Sequence, residues 1–269
     1  MYTIENAKFA YQKGKPVVES LQLELHAGRI YGLLGRNGSG KTTLLRLMAG
    51  QLLAQEGKLS LNGCDVRRRE PETMQEIVLM SGPTRFWNLT LEQHAHAYAD
   101  FYPRFDTAVL NDCLDAFGLK PLPASLSQLS LGNSQKVMFS LTLACRPAVL
   151  LLDEPFNGLD IPSRAMLRQL LMRHCDERQL VVISTHTVGD VEHLLTDLIM
   201  LRPPMPPMAA SLSELGRKYA AGLQASTQGA LHAEACAEGY RVLRENTTGT
   251  ESELPLDLLF NAINQNHLP

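Results

Sequence analysis

The 269-residue sequence predicts an α/β fold in which a mostly parallel sheet is covered on both faces by helices. Three observations carry that reading. Short apolar runs at 29–34 (RIYGLL), 77–80 (IVLM), 149–152 (VLLL) and 180–184 (LVVIS) have the length of buried strands. Helical stretches lie between them, as crossovers between parallel strands require. Hydrophobic residues make up 45% and charged residues 20% of the chain, a balance that supplies enough apolar surface for a core.

The N-terminal residues 2–27 follow a different rule. Apolar and polar positions alternate, most clearly at Leu21, Leu23 and Leu25, as in half-buried antiparallel strands. The strand at 29–34 runs into the glycine-rich GRNGSGKTT, after which Leu44, Leu45, Leu47 and Met48 mark a helix. Beyond Gly50 come a strand at 57–61, a turn at Asn62-Gly63 and the strand at 77–80. Residues 90–146 read as helical, broken into pieces by Pro103, Gly118, Pro121 and Pro123. After the strand at 149–152, Pro162 belongs in the first turn of a helix with Met166, Leu167, Leu170 and Leu171 on one face. The strand at 180–184, a short helix and a strand at 198–201 complete the pattern.

Composition breaks at RPPMPPM, residues 202–208, whose four prolines read as a stiff connector. Residues 209–269 are more polar and carry no chemical motif. The expected divisions are therefore a main domain at 1–202 with a helical insertion at about 84–146, a proline-rich connector at 203–208, and a small C-terminal accessory segment at 209–269.

Several function classes are disfavoured. A net charge of −3 offers nothing to a polyanion, so no nucleic-acid partner is expected. The five cysteines are odd in number, scattered and without a C-x-x-C pair, which argues for reduced thiols rather than disulfides or zinc. No secretory signal opens the chain and no stretch approaches the roughly 20 apolar residues of a membrane span. The expectation is a soluble, cytoplasmic protein whose membrane role, if any, comes through a partner.

The sharpest chemical signal is Gly35, Arg36, Asn37, Gly38, Ser39, Gly40, Lys41 and Thr42, with Thr43 following. They match G-x-x-x-x-G-K-[ST] between a strand and a helix. Glycines let backbone N–H groups turn inward around phosphate oxygens, and the helix adds its positive end. Lys41 is expected to reach the β- and γ-phosphates and the Thr42 hydroxyl to ligate Mg²⁺. The second signal is VLLLDEP: a buried strand delivers Asp153 to the phosphate side, where it can hold Mg²⁺ through water. Glu154 follows, placed to orient or deprotonate the attacking water.

Two further features narrow the class. LSLGN at 129–133 precedes an apolar helical run ending at Cys145, and Asn157-Gly158-Leu159-Asp160 and then His186 follow the acidic strand. Over residues 2–202 this order resembles the ABC ATPase family. The resemblance implies a P-loop NTPase core of ABC ATPase type with an antiparallel β-subdomain, a helical insertion and a small C-terminal appendage. It implies ATP and Mg²⁺ as cofactors, a transmembrane permease as partner and a second ATPase domain, identical or not, closing face to face. The chain would then sit peripherally on the inner face of the membrane. Ser130 and Gly132 would cap the γ-phosphate of an ATP held mainly by that second domain. Asp160 would bridge the two domains and His186 would contact the γ-phosphate. Tyr11 looks like the aromatic residue that stacks on adenine, with Phe9 as the competing candidate.

The chain departs from the family pattern in two places. Leu131 and Asn133 stand where the usual LSGGQ has glycine and glutamine; the variant, with FYPRFD at 101–106 and LDLLFNAI at 256–263, resembles bacterial exporter subunits of the bacitracin and peptide-antibiotic resistance type. The glutamine expected after the strand at 77–80 is replaced by Ser81-Gly82-Pro83. The favoured function is an ATPase subunit powering a membrane exporter. The alternatives are a regulatory ABC scaffold with weak hydrolysis, suggested by the missing glutamine, and a soluble non-transport ABC protein, disfavoured by the lack of sustained heptads between Lys41 and Ser130.

Overall fold

The computed structural model describes residues 1–82, 85–203, 205, 207–265 and 267–268. The replacement residue Pro83 and two connector prolines, Pro204 and Pro206, lie outside the described residues.

The alternating N-terminal residues form two strands, β1 (Tyr2–Phe9) and β2 (Val18–Leu25), paired antiparallel with Tyr2 opposite Leu25 and Ile4 opposite Leu23. Every second side chain of β2 from Leu21 to Leu25 is buried. The next strand, β3 (Ile30–Gly35), delivers the glycine-rich loop to α1 (Lys41–Met48). Strands β4 (Glu56–Leu61) and β5 (Cys64–Asp65) follow, and β4 pairs with the free edge of β1. The result is a four-stranded antiparallel sheet in the order β2-β1-β4-β5.

A short helix α2 (Pro71–Met74) leads into β6 (Ile77–Met80). The insertion then supplies α3 (Leu91–Phe101), α4 (Thr107–Ala116) and α5 (Leu131–Ala144). Each begins at a side-chain cap: Thr90 with Gln93 in a reciprocal capping box, Asp106, and Ser130. Such caps satisfy N–H groups that the first helical turn leaves without partners. The chain continues through β7 (Val149–Asp153), α6 (Ile161–His174), β8 (Leu180–Ser184) and β9 (Asp197–Leu201).

The chain crosses the expected limit at 202 without leaving the sheet. Strand β10 (Met208–Ser211) takes in the last connector residue and pairs antiparallel with β9. The central sheet is therefore six-stranded, in the order β10-β9-β3-β8-β7-β6, parallel throughout except at β10. The polar C-terminal residues are also ordered: α7 (Leu212–Lys218), then β11 (Tyr219–Gln224), β12 (His232–Cys236) and β13 (Gly239–Glu245) in a small antiparallel sheet, then α8 (Leu256–Asn264).

The six-stranded sheet divides two hydrophobic clusters. Tyr31, Leu33, Leu151 and Val182 face the cluster shared with α1 and the four-stranded sheet. Leu34, Leu150, Leu152 and Val181 face the cluster shared with α4, α5, α6 and α8. The buried face of α6 carries Leu167, Leu170 and Leu171, while Met166 is only partly covered.

Gly57 shows how tightly the four-stranded sheet is specified. It has φ 78° and lies against the irregularity of β1 between Glu5 and Lys8. A Cβ there would come within 2.3 Å of the carbonyl oxygens of both Glu5 and Asn6. Gly57→Ala combines an unfavourable φ with a backbone clash and should destabilise by about 2 kcal/mol or more. The shift in the urea midpoint measures it; a loss below about 0.5 kcal/mol, the range of ordinary surface substitutions, would show that the β1 irregularity relaxes freely.

Candidate functional site

The C-terminal ends of β3, β7 and β8 place three loops on one side of the sheet, where parallel α/β sheets bind ligands. Gly35 ends β3, and a Cβ on it would meet Ser39 Oγ at 2.5 Å and the Leu201 carbonyl at 2.7 Å. Only glycine fits there. Arg36, Asn37 and Gly38 are exposed at the loop's outer side, while Ser39 is buried and its hydroxyl has no hydrogen-bond partner among the described residues. Gly40 precedes α1, whose first-turn N–H groups have no carbonyl within the helix to bond. Lys41 is buried, with Nζ donating to Gly35 O at 2.8 Å and Arg36 O at 3.4 Å. Burial pushes its pKa down, against the opposing pull of Glu154 and Asp153. A desolvated ammonium with only carbonyl partners, an unpaired hydroxyl and helix-end N–H groups together suit an anion.

Asp153 is the hub of the second cluster. Its Oδ2 accepts a hydrogen bond from Thr42 Oγ1 at 2.7 Å, and its Oδ1 accepts one from Ser184 Oγ. Ser184 lies directly across from it in the β7–β8 register. Glu154 then turns sharply at φ 52°, a left-handed value uncommon for a residue with a side chain. Its N–H donates to Ser184 O at 3.1 Å, with Ser184 Oγ at 3.2 Å. The turn brings Glu154 Oε2 to 2.9 Å from Nδ1 of the exposed His186. Strain of this kind, held by its surroundings, gathers at functional positions. Thr42 and Asp153 offer hard oxygen donors of the type magnesium takes. Among the described residues no group of three His, Cys, Asp or Glu could hold a metal by itself.

The LSLGN residues at 129–133, which stand where the family carries its LSGGQ signature, are built separately from the phosphate loop. Ser130 caps α5, accepting from Asn133 N at 3.3 Å, and Leu131 is exposed. The helix starts at Leu131, so Gly132 lies in its first turn. Gly132 packs close to the Asn157-Gly158-Leu159-Asp160 stretch, 3.2 Å from its would-be Cβ to the Gly158 carbonyl. Leu131, Gln135, Asp153, Glu154, Asn157, Gly158 and Gly82 share a cavity of about 300 Å³. Gln135 Nε2 donates to Pro155 O at 3.2 Å from a buried position, linking signature helix and acidic loop. Asp160 caps α6 through Ser163 N at 2.9 Å, and hydrogen bonds from Ser163 hold its pKa below the ordinary value.

Of the two aromatic candidates, Phe9 is buried in the strand and Tyr11 is exposed, edge-on to Phe9 with centroids 4.9 Å apart. Tyr11 OH lies 3.3 Å from Thr43 Oγ1, so the ring stands over the start of α1. Ser184 and Gln135 are site residues that motif reading missed. Ser184 had a signal, being the polar end of a buried strand two residues before His186. Gln135 had none, because its role depends on a carbonyl reached only in the fold. His94 and His96 do not come together: His94 is buried edge-on to Phe86, and the exposed His96 faces Asp100.

A phosphate loop, a strand-end Asp153 bonded to it and a Glu154–His186 pair define a P-loop nucleoside-triphosphatase site. The family model described as ABC transporter matches residues 18–157. A relative named ABC transporter ATP-binding protein YtrB, from Bacillus subtilis, is 31% identical over 208 residues, 77% of this chain and 70% of that protein. Lantibiotic transport ATP-binding protein SrtF from Streptococcus pyogenes is 28% identical across 72% of this chain and 83% of its own length. Among solved structures, one described as the ATP-binding subunit of an ABC transporter shares the fold at TM-score 0.72 and 22% identity, over 81% of this chain and 92% of that one. The chain belongs to the ABC transporter family as an ATP-binding protein, the component that hydrolyses ATP to drive transport.

Lys41→Met should keep the fold while losing the response to nucleotide. Wild-type protein at ATP a hundredfold above its Kd should gain about 2.7 kcal/mol, and the variant close to none. Thermal melting with and without ATP reads this; equal shifts in both proteins would exclude Lys41 from the nucleotide site.

Proposed function

We propose that this chain is the ATPase subunit of a membrane exporter, working as a dimer of ATPase domains closed by ATP. The observation that carries the reading is the Glu154–His186 contact at 2.9 Å beside the Thr42–Asp153 hydrogen bond at 2.7 Å. Lys41 and the loop N–H groups hold the phosphates. Glu154 takes the proton of the attacking water, and His186 keeps Glu154 in place while reaching toward the terminal phosphate. Tyr11 covers the adenine. Thr42, and Asp153 through water, hold magnesium, which when bound offsets charge on the phosphates. Catalysis by such a site rests on positioning and charge rather than on covalent chemistry.

Ser130 and Gly132 serve the partner domain's nucleotide, and Asp160 lies at the junction. Support comes from where the signature sits: Ser130 and Leu131 are exposed at the start of α5, free to meet a facing surface. No described helix is long and apolar enough to cross a membrane. On this reading the permease is a separate partner and the chain lies on the cytoplasmic face. Trp87 and Phe101, 78% and 74% exposed, flank a cavity of about 620 Å³ with Tyr98 and Met138. An exposed aromatic patch of this kind suits a protein partner. Residues 1–202 carry the ATPase work with a helical insertion at about 84–146; 203–208 serve as a connector and 209–269 as an accessory segment whose first strand, β10, extends the central sheet.

Glu154→Gln should bind ATP normally and lose turnover by about 10²–10⁴-fold, the usual contribution of a general base. ATP should then hold the variant as a dimer in size-exclusion chromatography. Near-normal hydrolysis, or a monomer under saturating ATP, would overturn the respective half of the proposal.

Where the glutamine is missing, Gly82 lines the same cavity as Asp153 and Glu154, and a Cβ on Gly82 would meet nothing within 4 Å. Water can fill that space, since magnesium commonly keeps several waters. Ser81→Ala should therefore leave the magnesium dependence of ATP binding unchanged within about twofold, whereas Thr42→Ala should weaken it about tenfold or more, the scale of a lost ligand or its support. A magnesium titration of ATP binding decides; a large loss in Ser81→Ala would make that serine a direct ligand.

A further inference from the structure

Past His186 the chain makes a turn at Val188–Asp190 and then presents Glu192. Two sides hold this turn. On one, Arg164 of α6 bonds both carboxylate oxygens of Asp190 at 3.1 and 2.8 Å, and Arg168 donates to the Asp190 carbonyl at 3.3 Å. On the other, Glu192 Oε1 accepts the N–H of Leu256 at 2.8 Å across 64 residues of sequence. Leu256 is the first residue of α8, and the preceding Pro255 brings no side-chain cap. The Glu192 carboxylate thus satisfies an otherwise unpartnered first-turn donor and faces the helix's positive end.

Helix α8 is fastened along its length. Arg241 of β13 forms a two-pronged bond with Asp257 at 2.8 and 2.7 Å. Leu256, Leu258, Leu259, Ala262 and Ile263 are buried in the same cluster as Val188, Val191 and Leu194. Beyond the helix, His267 Nδ1 lies 2.9 Å from Nδ1 of the buried His232 in β12. At the last turn, Ile263 and Asn264 share a cavity of about 520 Å³ with Arg36, Asn37, Gly38 and Ser39. One end of α8 holds the turn after His186, and the other faces the phosphate loop.

We infer that Glu192 is a positioning residue for hydrolysis, tying the His186 segment to α8 so that the C-terminal segment sets the reach of His186 to Glu154. The inference rests on the hydrolytic roles given to Glu154 and His186. It gives the C-terminal segment a mechanical role, because a force on the β11–β13 sheet passes through Arg241 and α8 to the turn that follows the histidine. Small displacements suffice, since misplacing a catalytic group by about 1 Å can cost about 10²-fold.

The test uses the full chain carrying Glu192→Ala, Glu192→Gln, His186→Ala and His186→Ala with Glu192→Ala. Glu192→Ala should lower single-turnover hydrolysis about tenfold and leave the ATP Kd unchanged within about twofold, the split expected of a group that acts only on the chemical step. Glu192→Gln keeps an acceptor oxygen and should recover most of the rate. In the His186→Ala background the same Glu192→Ala change should cost less than about twofold, because residues acting through one another are not additive. Hydrogen exchange at residues 187–191 should rise in Glu192→Ala and stay near wild type in Glu192→Gln. Equal losses in both backgrounds, an unchanged rate in Glu192→Ala, or unchanged exchange would overturn the inference. If His186→Ala alone hydrolyses at the wild-type rate, the role given to His186 fails instead, and the exchange data still decide whether Glu192 restrains the turn.

Discussion

The Asp153 carboxylate, shared between the hydroxyls of Thr42 and Ser184, is the constraint on which the rest of the site depends. Through it the start of α1, the end of β7 and the end of β8 are fixed relative to one another. A buried carboxylate left without such donors would be costly, so the two hydroxyls and the acid specify each other. Glu154 inherits its place from this arrangement. Its N–H bonds Ser184, its backbone takes a left-handed turn, and its side chain meets His186.

Around that hub the chain divides its work by layer. The parallel strands, apolar on both faces, bring chemistry-bearing residues to a common edge. Charged residues then lock the connecting turns from outside, as Arg164 does for Asp190 and Glu192 does for α8. Each joins the turn after His186 to a neighbouring helix, Arg164 from α6 and Glu192 to the first N–H of α8.

The sequence made the site legible where chemistry is local. Gly35 and Asp153 end buried strands that the hydrophobic pattern locates, Glu154 and His186 follow such ends within two residues, and Lys41 and Thr42 open the helix after the glycine-rich loop. Contacts formed across distance were invisible: Ser184 to Asp153, Gln135 to Pro155 and Glu192 to Leu256 join residues 31, 20 and 64 positions apart. The C-terminal strands escaped notice for another reason. Strands MAAS and YAAGLQ are rich in alanine and glycine, residues depleted in strands, and they form one only where neighbouring strands supply the pairing. The proline run at 202–208 likewise suggested a boundary, yet β10 returns to the central sheet directly after it.

The alternation along β3 has a metric consequence. Tyr31 and Leu33 face one hydrophobic cluster, Leu34 faces the other, and Gly32 leaves room for Leu195, whose Cδ1 would lie 2.4 Å from any Cβ. A one-residue slip would exchange these faces, driving Leu33 into the space reserved by Gly32. It would also carry Gly35 and its loop along the strand by about 3.3 Å, more than the length of a hydrogen bond. The oily interior therefore works as a ruler: by refusing every register but one, it gauges where the phosphates can lie.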